Sequence, residues 1–349
     1  MSRNKLQRRD YVKLAGSGLS AAALAGIAGC LGGGDGDVDG DLESMSMLWT
    51  EGSMSIPVAL AGAEENSWNE EGINLETNVT GYGRYAQALE GGETVINNVN
   101  SAIFMNGHQN DYDMKLAGAT ETQVNGAFVP VDSDIEGPAD FEDKVIGIPP
   151  RSSGTSMIML SLIQDEWGYD IDEIAEEVVE TDPATLWNLM TEQGDIDVML
   201  QFTGFTIQAR AEGSPVREVF DPDEYWQNET GYPAIISFWG ADPDWIDSNP
   251  GMAVNFLRGW QNARDYTLEN TESVVDQFGT LAGFNSEAEL NEFQSTLEEG
   301  ALLDPEDWNE ELAESQFEIL QKMVDNGFYD ELPDFDEHVR TFDELEDLA

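Results

Sequence analysis

The residues best placed to do chemistry form one short run, Arg151-Ser152-Ser153-Gly154-Thr155-Ser156, directly before the apolar stretch from Met157 to Trp167. Small hydroxyl side chains and a glycine at a helix start leave backbone N–H groups free, and such groups bind oxyanions. The same pattern also serves plain helix capping by Ser152 or Ser153. Arg151, and Arg84 in Gly81-Tyr82-Gly83-Arg84-Tyr85, are two of the few cations beyond the first thirty residues. Each suits an anionic group on a ligand, or a surface pair with one of many acids. Other chemistry is thinly represented. His108 and His338 are the only histidines and lie far apart along the chain, and Cys30 is the only cysteine. No cysteine-based zinc or iron–sulfur site and no internal disulfide is therefore available. No Gly-x-Ser-x-Gly elbow, phosphate-binding loop or dinucleotide fingerprint occurs. The expectation is a protein with no metal and no cofactor that binds and does not transform.

Charge narrows the class further. The chain carries 70 acidic and 15 basic residues, a formal net charge of −55. Composition of this kind accompanies disorder when apolar residues are scarce. Here they make up 40 %, with 9 Trp and 15 Phe, and the acids are spread evenly. The pattern fits a folded protein with an acidic surface, as in a halophile, in which concentrated salt screens self-repulsion. No basic patch exists to neutralise phosphates, so nucleic acid is not a partner.

The N-terminus reads as an address. Arg8 and Arg9 in Gln7-Arg8-Arg9-Asp10-Tyr11-Val12-Lys13 resemble a twin-arginine export signal, and the apolar stretch from Leu14 to Ala28 is too short to span a bilayer. It ends at Ile27-Ala28-Gly29-Cys30, which resembles a lipobox. Residues 1–29 are then a signal peptide, Cys30 is lipidated, and 30–43 form a Gly/Asp-rich tether with a coil reach of roughly 20 Å. The mature protein would lie on the outer face of the cytoplasmic membrane, extracellular, held by the lipid alone. The spacing Asp35, Asp37, Asp39 and Asp41 also suggests a calcium loop, but it lacks the flanking helix and the later Glu.

Beyond the tether, strand-like and helix-like segments alternate. Strands are expected at 46–49, 73–79, 94–99, 114–119, 126–131, 144–148, 196–202 and 234–239, with helices from Ile56, Tyr85, Ser101, Met157, Asp182-Pro183 and Asn249-Pro250. Acidic amphipathic helices complete the chain. The order β-α-β-α appears twice, and Ala88–Val95 parallels Leu189–Val198, which indicates two similar α/β lobes.

At this point the chain resembles the type II extracellular solute-binding proteins of ABC importers, in the nitrate/sulfonate/taurine and thiamine-precursor group. The resemblance spans about Met45 to Leu345. It rests on Trp68-Asn69-Glu70-Glu71-Gly72-Ile73-Asn74-Leu75-Glu76, Phe141-Glu142-Asp143-Lys144-Val145-Ile146-Gly147-Ile148, Gly194-Asp195-Ile196-Asp197-Val198 and Asp247-Ser248-Asn249-Pro250, with Asp143 where the family usually has Gly. It implies a periplasmic-binding-protein type II fold: lobe 1 from 44–126 plus 236–349, lobe 2 from 127–235, a hinge, and an interlobe cleft that closes on its ligand. It implies a monomer that delivers a small, anionic solute to a separate permease and ATPase. In such folds the ligand meets the carboxyl ends of strands and neighbouring helix N-termini. The implied contacts are Trp49 and Ser53, Tyr82 and Arg84, Asn98 and Ser101, and Arg151, Ser152, Ser153, Gly154 and Thr155 with Gln201 and Thr203. Trp49, Tyr82 and Tyr85 could equally be core aromatics. An exported enzyme and a ligand-free surface lipoprotein stand as the rival readings.

Overall fold

Alternation sets the first strand. In β1 (Glu43–Thr50), Met45, Met47 and Trp49 are buried while Glu43, Ser44 and Ser46 are exposed, the period-two pattern of a one-faced strand. The computed structural model describes residues 42–50, 53–80, 91–110, 112–151, 153–284 and 286–349. Arg8, Arg9, Cys30, the tether up to residue 41, Tyr82, Arg84, Tyr85, the expected helix at Tyr85–Leu89 and Ser152 lie outside the described residues, while Glu43, expected in the tether, already belongs to β1. Helix α1 (Ser55–Glu64) links β1 to β2 (Ile73–Thr80), which pairs with it in parallel from Glu43↔Ile73 to Thr50↔Thr80. β3 (Ile96–Asn100) runs into α2 (Ser101–Gln109), capped where the Asn100 side chain accepts from the Ile103 N–H at 2.9 Å. β4 (Lys115–Thr122) follows, buried along its whole length.

The chain then enters a five-stranded sheet, separate from the β1-β2 pair and from the sheet that holds β3 and β4. Its elements are β5 (Asn125–Pro130), β6 (Val145–Ile148), α3 (Gly154–Trp167), α4 (Ile171–Ile174), β7 (Glu177–Glu180), α5 (Pro183–Asn188), β8 (Val198–Phe202), α6 (Thr203–Arg210), β9 (Val216–Phe220) and α7 (Pro222–Thr230). The strand order is β7-β6-β8-β5-β9, with β6 parallel to β7 and β8, and β5 antiparallel to β8 and β9. Asp143, where the resembled family has Gly, sits at φ 57° just before β6. Asp is among the few non-glycine residues that enter this left-handed region readily, so the turn survives the exchange. Asp182 caps α5 by accepting from the Thr185 N–H at 3.0 Å, as its Asp-Pro start predicts.

β10 (Ile235–Ala241) returns to the first set of strands and lies between β3 and β4, antiparallel to both. The outgoing and returning passages run side by side: the Gln123 N–H donates to Ala234 O at 2.8 Å and Gln123 Nε2 to Ile235 O at 3.1 Å. After α8 (Pro243–Ser248), the long α9 (Pro250–Glu269) buries Ala253, Phe256, Leu257, Trp260 and Ala263 on one face, as their spacing predicts. Asn249 occupies the cap position of α9 without a capping bond; its amide donates instead to Trp245 O. Gly259 is required there, since a Cβ would come within 2.1 Å of Trp68, whose Nε1 donates to Phe256 O. The remaining helices are α10 (Thr271–Phe278), α11 (Glu287–Thr296), α12 (Glu310–Asp325), α13 (Phe335–His338) and α14 (Phe342–Leu348). α12 packs on α3, and Trp226 of α7 donates to Ser315 of α12 at 2.9 Å. Among the described residues, no helix is long and apolar enough to cross a membrane.

Candidate functional site

Two helix N-termini meet where the two sets of strands touch. Gly154, the first residue of α3, lies so close to the start of α2 that a Cβ would stand 2.8 Å from Ala102 N and 3.3 Å from Asn100 Oδ1. The N-terminal turns and the positive dipole ends of both helices are thereby gathered in one region. Ser153 holds the cap position of α3 but makes no side-chain capping bond.

A buried polar chain runs from this junction along the crossover. Asn98 Nδ2 donates to Thr120 Oγ1 at 2.9 Å, and Thr120 Oγ1 lies 2.6 Å from Ser237 Oγ. Next along β4 is Glu121, 4 % exposed and the only acid in the buried set among the described residues. Ser55, at the start of α1, donates to its Oε2 at 2.8 Å. Burial pushes the Glu121 carboxyl up to about 7; the Ser55 and Ser237 hydroxyls pull the other way and fall short. On the far side, Asn125 donates to Gln123 Oε1 and accepts from the Thr203 N–H at 3.3 Å. Thr203 sits at φ 23°, an unfavourable setting for a β-branched residue and of the kind that accumulates at ligand sites. Gln201 is fully buried; its amide donates to Pro183 O at 2.9 Å, while its Oε1 finds no partner among the described residues.

The structure therefore brings the segments holding Ser101, Ser153, Gly154 and Thr155 to one junction, while Asn98 joins Thr120 and Thr203 opens α6 against Asn125 of the crossover. Ser53, next to Ser55, accepts from the Ser55 N–H at 3.2 Å and so belongs to the Glu121 side of the network. Two expected contacts fall elsewhere. Trp49 is a core residue, 1 % exposed, stacked on Trp260 at 6.0 Å and edge-on to Trp239 at 5.9 Å, because the inward side of β1 faces α9. Arg151 is held by Asp172 at 2.7 Å and Glu180 at 3.7 Å, the surface pairing that so acidic a chain favours. Arg151→Ala should accordingly change stability by no more than ~1 kcal/mol, read as a small shift in a thermal melt. A cavity of about 310 Å³ opens beside the crossover, lined by Thr122, Gln123, Arg210, Asp223, Thr296 and Leu303 among others. It shares no residue with the expected ligand contacts.

Sequence reasoning missed Glu121, one acid among 70. It also missed that the two histidines, dismissed for their separation, are neighbours in space. Their rings lie 5.2 Å apart, nearly perpendicular, with Asp113 beside both. The His108 and His338 contacts hold the Asp113 carboxyl below its usual range.

A family model described as NMT1/THI5 like matches residues 58–273. Among solved structures, the periplasmic aliphatic sulphonate binding protein SsuA from Escherichia coli aligns with TM-score 0.70 at 15 % identity, covering 85 % of this chain and 92 % of that one. The alkanesulfonate-binding protein SsuA from Xanthomonas axonopodis pv. citri, bound to MOPS, aligns with TM-score 0.64 at 10 % identity, covering 86 % and 99 %. The desulfurization enzyme DSZB aligns with TM-score 0.59 at 14 % identity, covering 88 % and 98 %. These likenesses establish the fold, that of the two-lobed periplasmic binding proteins. No curated protein matches the chain in sequence.

Proposed function

The chain belongs to the NMT1/THI5-like family, and from that premise we propose that it is the substrate-binding component of an ABC importer. Residues 44–126 with 236–349 form one lobe and residues 127–235 the other; the lobes close on a small solute and pass it to a separate permease with its ATPase. The protein works as a monomer outside the cell, tethered through Cys30 after twin-arginine export.

The observation that carries this reading is the meeting of α2 and α3 at Asn100, Ala102 and Gly154. One helix comes from each lobe, so an anionic group between their N-termini would be held by both and would favour closure. Charge-assisted bonds to backbone N–H act at short range, so the negative charge of the whole chain does not oppose them in concentrated salt. Glu121, buried at the crossover beside Ser55 and Ser237, adds a second requirement, an acceptor best met by an ammonium or another donor on the solute. A sulfonate carrying an amine satisfies both ends, and the sulfonate ligands named for the two SsuA proteins point to the same class. We read the site as a binder and not an enzyme because it gathers hydroxyls, amides and one carboxylate. The two histidines sit at the opposite end of α2.

Gly154→Val tests the reading. Its side chain would intrude on Ala102 N and hold the lobes apart. Affinity for the solute should fall by at least ~100-fold, equivalent to about 2.7 kcal/mol, with an unchanged circular dichroism spectrum. Unaltered affinity would remove the α2–α3 junction as the binding place.

A further inference from the structure

His108 closes α2, Asp113 lies in the turn before β4, and His338 ends α13. Asp113 Oδ1 is 2.8 Å from His108 Nδ1 and 3.3 Å from His338 Nε2. One donor atom from each residue can be chosen so that all three lie within 4.8 Å of one another.

The tautomer of His338 is fixed by its other nitrogen. Nδ1 lies 2.9 Å from Asp334 O, and a carbonyl only accepts, so Nδ1 carries the hydrogen. In the neutral ring Nε2 then presents a lone pair to a carboxylate oxygen, which also has only lone pairs. Something positive belongs between them, a proton on the ring or a metal ion. Bonds of ~2.0–2.1 Å to a tetrahedral ion place its ligand atoms about 3.3 Å apart, the spacing seen between Nε2 and Oδ1, while His108 Nδ1, at 2.8 Å from Oδ1, would move out by about half an ångström. His108 completes the set through Nδ1, and its Nε2 is 3.8 Å from Glu331 Oε1. A histidine bound to metal through one nitrogen characteristically donates from the other to a carboxylate or a backbone carbonyl, as His338 does to Asp334 O.

We propose that His108, Asp113 and His338 bind one divalent transition-metal ion of the zinc, cobalt and nickel class. Imidazole ligands select such ions over the magnesium, calcium and alkali ions that prefer oxygen. The ion acts as a clasp. Val339, next to His338, bridges Leu116 in parallel, and the Arg340 N–H donates to Leu116 O at 2.9 Å. Metal bound at His338 therefore pins the C-terminal segment to the edge of β4. The site is independent of the solute site, since His108 lies seven residues along α2 from Ser101, roughly 10 Å away.

The test uses the full folded chain, stripped with EDTA, returned to metal-free concentrated salt, dialysed against Zn²⁺ and analysed for bound zinc. The expected result is one zinc per chain, a visible d–d spectrum of tetrahedral form with Co²⁺ in its place, and a melting temperature raised by either ion. His108→Gln, at a partly exposed position, should keep its circular dichroism spectrum and lose the bound equivalent. A wild-type chain that retains no zinc overturns the proposal, as does a bound equivalent that His108→Gln retains. His338→Gln is the confirming variant only, because His338 is buried and packs edge-on to Phe104.

Discussion

Transfer from about 2 M to about 0.05 M salt should unfold the protein in one cooperative transition, because the screening length grows from a few ångströms to more than 10 Å. The cause is the net charge of −55. Beyond the signal region only ten basic residues remain, and nine of them are described. Eight of those nine are already spent on close acid partners: Lys115, Arg151, Arg210, Arg217, Arg258, Arg264, Lys322 and Arg340. The rest of the acids repel one another across the surface with nothing but solution ions between them. Tryptophan emission is the natural probe, since Trp49, Trp68, Trp239, Trp260 and Trp308 are almost wholly buried and would redden together. Superimposable melting curves at the two salt concentrations would refute the acidic-surface account.

Glu121→Gln should stabilise the protein by about 3 kcal/mol near pH 8 and by almost nothing near pH 4.5, since each unit of pKa displacement is worth ~1.4 kcal/mol. Burial raises the folded pKa from 4.5 to about 7. Between those values the folded chain binds more protons at this carboxyl than the unfolded chain does. Stability therefore falls as pH rises through the window, and above it the full cost of an ionised buried carboxylate is present. Glutamine still accepts from Ser55 and never ionises. Other acids titrate in the same range, Asp223 among them, raised by burial to about 6, so the informative quantity is the wild-type-minus-variant difference against pH. A flat difference would mean that Glu121 is solvated. In the proposed role the same substitution weakens binding of an amine-bearing solute while leaving a simple sulfonate nearly unaffected. Stability gained and affinity lost in one residue would fit a group kept for function against its folding cost.

Much of the fold was legible because its central strands are apolar on a regular period. β1, β2, β6, β8 and β10 and the helices α1, α3 and α9 lie where pattern and turn residues place them. β7 and β9 were not legible, and the reason is their position. They form the two edges of the five-stranded sheet, where Glu177, Glu180, Arg217 and Glu218 interrupt the apolar pattern. Charged edges of this kind prevent unwanted pairing and erase the sequence signal together. The expected strand at 114–119 stops three residues short of Thr122, and those three hold Glu121. Its burial follows from β10 passing on one side and α1 starting on the other, which no local pattern records. At Trp49 and Arg151 residue type and surroundings point different ways. Each has a residue type suited to a ligand, and each is taken by its surroundings, an indole cluster for one and a pair of acids for the other. The histidines were set aside because 230 positions separate them in the chain. Only the docking of the C-terminal segment against β4 makes them neighbours.

The central claim is that a solute is held between α2 and α3. Isothermal titration in concentrated salt, with a panel of inorganic oxyanions, alkylsulfonates, aminosulfonates and a thiamine-type pyrimidine, tests it most directly when run in parallel on Gly154→Val. The account predicts one saturable 1:1 ligand from the aminosulfonate class for the native chain and none for the variant. Equal binding by the two chains, or heat from no member of the panel, would contradict it.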